Sequence, residues 1–101
     1  MRILVLAAAL FAVPALASSP DAMKAGLADA ARACRKASNL KSAATVGAPI
    51  LFSDVAGKTA VLVTGTWRPA HMKGARARML CLYDRAARTA EAQEARDWAA
   101  K

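Results

Sequence analysis

The chain predicts an α+β fold: an N-terminal helix packed on a three- or four-stranded antiparallel sheet, with one disulfide. Three observations carry that expectation. Between residues 20 and 38 the apolar positions recur every three or four residues, a helical period. From residue 49 onward the pattern changes to short alternating runs rich in Val and Thr, separated by Gly and Pro. Two cysteines, Cys34 and Cys81, stand one in each half.

What precedes the helix is a leader. Met1-Arg2 is followed by the uncharged run Ile3–Val13 and then by Pro14-Ala15-Leu16-Ala17. A short basic start, an apolar stretch and an Ala-x-Ala ending are the three parts of a signal peptide, here cleaved after Ala17. A membrane-spanning helix needs roughly 20 apolar residues, and this run is shorter and broken by Pro14. No cysteine follows the small-residue box, so a lipoprotein is not indicated. The expectation is a bacterial periplasmic or secreted protein with residues 1–17 as leader and 18–101 as one small domain.

An 84-residue domain buries a limited core, and export offers it a covalent supplement. Two cysteines permit a single intramolecular bridge, and closing so long a loop is worth about 4 kcal/mol in the chain-entropy picture. Two free thiols or a bridge between molecules are the alternatives. Net charge is +8 over the whole chain, and loss of Arg2 with the leader takes it to +7. Inside a cell such a balance points first to nucleic acid. Outside it, the available polyanions are phospholipid headgroups, lipopolysaccharide and acidic proteins.

Each element has its own signals. Ser19-Pro20-Asp21 reads as a helix start, with a capping hydroxyl, a proline at the first helical position and an acid at the positive end. Met23, Leu27, Ala30, Ala31 and Cys34 share a face, and Asn39 marks the stop, giving a helix over Pro20–Ser38. Pro49–Ser53 is a short apolar strand before a turn at Asp54–Gly57. Lys58–Trp67 alternates as a second strand, Val61, Val63 and Trp67 on one side and Leu62, Thr64 and Thr66 on the other. Arg68–Gly74 is a loop. Arg76–Asp84 is the next strand, with Ala77, Met79, Cys81 and Tyr83 opposite Arg76, Arg78, Leu80 and Leu82. Residues 89–96 have helical propensities but sit where a meander places its last strand, so they are read as strand, with Trp98 packing back. A helix laid across this sheet brings Cys34 over Cys81.

Ala33-Cys34, Phe52-Ser53-Asp54, Val63–Trp67, His71-Met72-Lys73-Gly74 and Cys81–Arg85 together resemble small uncharacterised exported proteobacterial proteins. The resemblance spans most of the mature chain. It implies export and a single domain, and no chemistry.

Catalytic and metal signatures are lacking in the sequence. Cys34 or Cys81 with His71 as base would make a small thiol or hydrolytic enzyme, the alternative reading, but a disulfide consumes the nucleophile. Cys34, Cys81 and His71 have neither C-x-x-C spacing nor a fourth metal ligand. Glu91, Glu94 and Asp97 would share a face only on a helix, and Ser53-Asp54 reads as a turn cap. The glycines are isolated, so no phosphate-cradling loop or cofactor is indicated.

Two binding features remain. Arg68, Lys73, Arg76 and Arg78 cluster around one loop beside Trp67, Met72 and His71, a set able to hold carboxylate or phosphate. Leu62, Leu80 and Leu82 share the sheet face away from the helix, where they would meet a second copy, a protein partner, or a covering segment (Lys41–Ala48 or the C-terminus). The expected function is thus a non-enzymatic periplasmic or secreted binding protein. Its contact is an envelope protein, a hydrolase to be inhibited among them, or an anionic lipid or lipopolysaccharide, reached through the basic loop and sheet face.

Overall fold

In the computed structural model, which describes residues 19–98, helix α1 spans Pro20–Ser38 as its end signals require. The stretch expected to be a leader, Met1–Ala17, lies outside the described residues. Ser19 Oγ accepts the Ala22 amide at 3.0 Å, filling one of the free donors of the first turn. At the other end Asn39 takes a left-handed conformation, φ 56°, and its amide donates to the Lys36 carbonyl. Asp21 and the pair Arg35 and Lys36 complement the helix dipole at its two ends. Ala30, Cys34 and Ser38, four residues apart, are the buried stripe. Met23, expected on that stripe, is exposed, because the helix closes on the sheet only from Ala30 onward.

The sheet is a four-stranded antiparallel meander: β1 (Lys41–Leu51), β2 (Lys58–Thr66), β3 (Arg76–Asp84) and β4 (Thr89–Glu94), in that spatial order. Strands β2, β3 and β4 follow the sequence expectation. β1 does not: it starts at Lys41, eight residues before the expected Pro49. The segment Ser42–Ala48 is built of Ser, Ala, Thr, Val and Gly, and nearly all of it is exposed on both sides. An edge strand with no buried side carries no alternation for a reader to find. Its register with β2 shifts between Lys41 and Ala44 and again between Val46 and Ile50, with Ser42 and Gly47 at positive φ. Such bulges, together with Pro49, keep an open edge from pairing with another chain.

β4 is a strand in spite of its helical propensities. It pairs with Met79–Asp84, and its Ala90 and Ala92 pack on the core under the helix, where methyl groups let α1 come close. Tertiary pairing outweighs a local preference worth only tenths of a kcal/mol per residue. The preceding turn is held by Asp84, whose carboxylate accepts the amides of Ala86 and Ala87, both at 3.0 Å.

The core lies between α1 and the inner sheet face, around Val61, Val63, Ala77, Met79, Cys81 and Tyr83, with Leu40 closing one end. Cys34 and Cys81 are joined there, Cα atoms 5.8 Å apart and neither residue accessible to solvent. Where β1 leaves the helix it crosses β2 at Gly65. A methyl on Gly65 would stand 2.8 Å from Leu40 Cβ and 2.9 Å from the Lys41 carbonyl oxygen, so the crossing requires glycine. At the opposite end of the sheet, Arg85 clasps both hairpins: its guanidinium donates to the carbonyls of Phe52, Ser53 and Lys58 and to Thr59 Oγ1.

Candidate functional site

The loop residues that cluster in the sequence separate in space. Arg68 turns back on the fold: its Nε donates to the Asn39 carbonyl at 3.1 Å and its Nη2 to the Leu40 carbonyl at 3.2 Å. A cation bonded to carbonyls at the end of α1 braces the helix–strand junction and leaves the proposed contact set. Trp67 is half-buried against the core, and its amide donates to the Ala75 carbonyl, closing the β2–β3 hairpin. His71 sits exposed in a single 3-10 turn, Ala70–Met72, and Lys73 follows it at φ 52°.

Arg76 and Arg78 behave differently. Register places Arg76 beside Thr66 and Arg78 beside Thr64, so both project from the outer sheet face. They line a cleft of about 610 Å³ whose walls include Trp67, Met72, Glu94 and Arg96. The cleft forms because the chain leaves β3 just past β4, the Ala95 amide making a last bond to the Arg78 carbonyl at 2.9 Å, while β3 continues to Arg76. Ion pairs among the described residues occupy Asp29, Asp54, Asp84 and Glu94, the last held by Arg96 at 3.4 Å. Neither the Arg76 nor the Arg78 side chain takes part in an ion pair or hydrogen bond with a described residue. Two guanidinium groups two residues apart on one strand face, hydrated and without a counter-charge, are set to take an anion. Arg96 is the member of this cleft that sequence reasoning missed. It lies beyond the last strand, and only the fold returns it to the start of β3.

Below Arg78 the same face becomes apolar. Val46, Ile50, Leu62, Leu80, Leu82 and Trp98 surround a shallow groove of about 310 Å³. Ile50 is 62% exposed, Trp98 57% and Leu82 40%, while Leu62 and Leu80 are half-buried by their neighbours. Among the described residues neither expected cover closes the groove: Lys41–Ala48 pairs alongside β2 as the edge strand, and Trp98 of the C-terminal run is one of the lining residues. Arg78 lines both the basic cleft and this groove.

The carboxylates and the serine weighed from the sequence do not come together. With β4 as a strand, Glu91 registers with Leu82 and Glu94 with Met79, on opposite faces. Ser53 Oγ accepts the Ala56 amide at 3.3 Å, so Ser53 caps its turn, and Asp54 pairs with Arg85. No group of three or more metal-ligating side chains gathers among the described residues. The shifted carboxyl is that of Asp84, held below the ordinary aspartate value first by the Ala87 amide and then by the Lys58 ammonium 3.1 Å away. Its role is to hold the β3–β4 turn. Compared with known proteins, the chain matches no family model, no curated protein and no solved structure.

Proposed function

We propose that this chain is a non-enzymatic exported binding protein whose contact surface is the outer sheet face, with an anionic group of an envelope component seated at Arg76 and Arg78. The observation that carries this reading is the pair of guanidinium groups at the cleft, unpaired among the described residues while Glu94, the acid that lines the same cleft, is held by Arg96. Export rests on the leader Met1–Ala17 and is compatible with the buried Cys34–Cys81 bridge. The bridge also bears on the enzyme alternative, since a thiol mechanism with His71 needs a sulfur that is here covalently engaged. Binding of the mature chain to lipopolysaccharide, and to anionic against neutral phospholipid vesicles, tests the reading across a salt series. The expected result is anion-selective binding that weakens with salt and falls about ten-fold or more in the R76E/R78E double variant. Binding that ignores salt and both charges would remove it.

A further inference from the structure

The cleft and the groove are one surface with two chemistries, and Arg78 is their shared wall. Above it stand Arg76 and Thr64 on the outer face, and below it the lining is almost wholly apolar. A simple anion would fill only the upper part and leave Ile50, Leu82 and Trp98 in water. An apolar peptide would fill the lower part and leave Arg76 and Arg78 without a counter-charge. From these juxtaposed halves we infer that the occupant is a single-chain anionic amphiphile, an acyl chain ending in carboxylate. Its head lies between Arg76 and Arg78, and its tail runs down β3 past Leu80 to Leu82. This deepens the proposed anion site and rests on it.

The dimensions suit that ligand. Arg78, Leu80 and Leu82 follow one another on the same face of one strand, a run of about 13 Å at ~3.3 Å per residue. That is the reach of a medium-length acyl tail. Ala60 and Leu62 on β2 and Val46 and Ile50 on β1 widen the apolar floor to one side, so the tail lies on a sheet rather than in a tunnel. On the other side β4 presents Gln93 beside Leu80 and Glu91 beside Leu82, and Trp98 of the C-terminal run lines the groove. The head is bound by charge-assisted hydrogen bonds from guanidinium forks, geometry that a carboxylate matches. The long edge strand does not compete for this surface, because its bulges turn away pairing by a second chain.

Calorimetry on the mature chain with monomeric fatty acids below their micelle concentration provides the test. Laurate is expected to bind about ten-fold more tightly than octanoate, as four further methylenes about half-buried on an open sheet face require, and dodecyltrimethylammonium to bind far more weakly. Arg78→Glu weakens laurate about ten-fold by removing the head contact, and Ile50→Asp does so by wetting the tail groove. Ile50 is mostly exposed, so that variant keeps its fold, which circular dichroism verifies. Trp98→Phe, read by the loss of a laurate-induced change in fluorescence, supplies a second probe of the groove. If inorganic phosphate or acetate binds as well as laurate and Ile50→Asp changes nothing, the amphiphile is wrong while the anion site stands. If only phosphatidylglycerol vesicles bind and monomeric laurate does not, the face docks on a bilayer and the inference fails. It fails equally if the chain ignores laurate and dimerises through this face in analytical ultracentrifugation. If charge reversal leaves every anion bound, the underlying site fails as well.

Discussion

On the side facing the helix, β2 and β3 present Thr59, Val61, Val63, Met79, Cys81 and Tyr83; on the other side the same strands present Ala60, Leu62, Leu80 and Leu82. The inner face is closed: Val63, Thr59, Cys34 and Cys81 are essentially inaccessible, and the covering helix offers mainly alanines. The outer face holds larger aliphatic groups and leaves them partly wet. Small residues let α1 approach closely enough for a disulfide to bridge it to β3. An antiparallel sheet of this kind usually shows polar residues on its uncovered side. Here the uncovered side is apolar at its centre and cationic at one end, the composition of a contact surface.

Removing the bridge tests the inner face most severely. The C34A/C81A double variant is expected to lose about 4 kcal/mol, read from the urea midpoint, since a loop of 47 residues is released. Its outer-face binding, measured at low temperature on the folded fraction, should survive. Gly65→Ala comes next. Its methyl would meet backbone and Cβ atoms that cannot swing aside, and about 3 kcal/mol should be lost, at the upper end of overpacking costs. A Gly65→Ala chain with unchanged stability would mean that β1 does not cross β2 so closely.

The outer face should respond in the reverse sense. Leu82→Ser, at a position 40% exposed, is expected to cost less than about 1 kcal/mol of stability while weakening amphiphile binding. A large loss of stability there would show that the outer face is core and not contact. The smallest effect is at Asp84. Its carboxyl is lowered in the folded state, so it contributes stability above the ordinary aspartate pKa and loses it as pH falls through its folded value. Urea melts between about pH 6 and about pH 3 should decline less steeply for Asp84→Asn than for the parent chain.

Helix α1 was legible to the residue because its ends are local chemistry: a capping serine, a proline and a left-handed asparagine lie next to one another in the chain. β2 and β3 were legible because burial on one face imposes alternation. β1 was not, since a strand exposed on both sides is under no such pressure. The leucine face was visible from parity alone, whereas the basic site was half visible. Arg76 and Arg78 follow from the same parity, but nothing near Arg68 in the sequence reveals that its guanidinium caps a helix twenty-nine residues earlier. Arg96 was hidden for a related reason, since its place depends on where β4 stops; Trp98, expected to pack back on the body, lines the leucine groove and stays 57% exposed.

The bridge between Cys34 and Cys81 has a topological result as well as an energetic one. It encloses β1, β2 and the β1–β2 turn in a covalent ring, and that turn, with Val55 almost fully exposed, is the natural place for a protease to cut. A single cut there opens the ring without separating the pieces. Helix and β1 would remain tethered to β2, β3 and β4 through sulfur, with Arg68 still gripping the carbonyls across the break. The outer face, drawn from strands on both sides of such a cut, would therefore outlast the continuity of its own backbone.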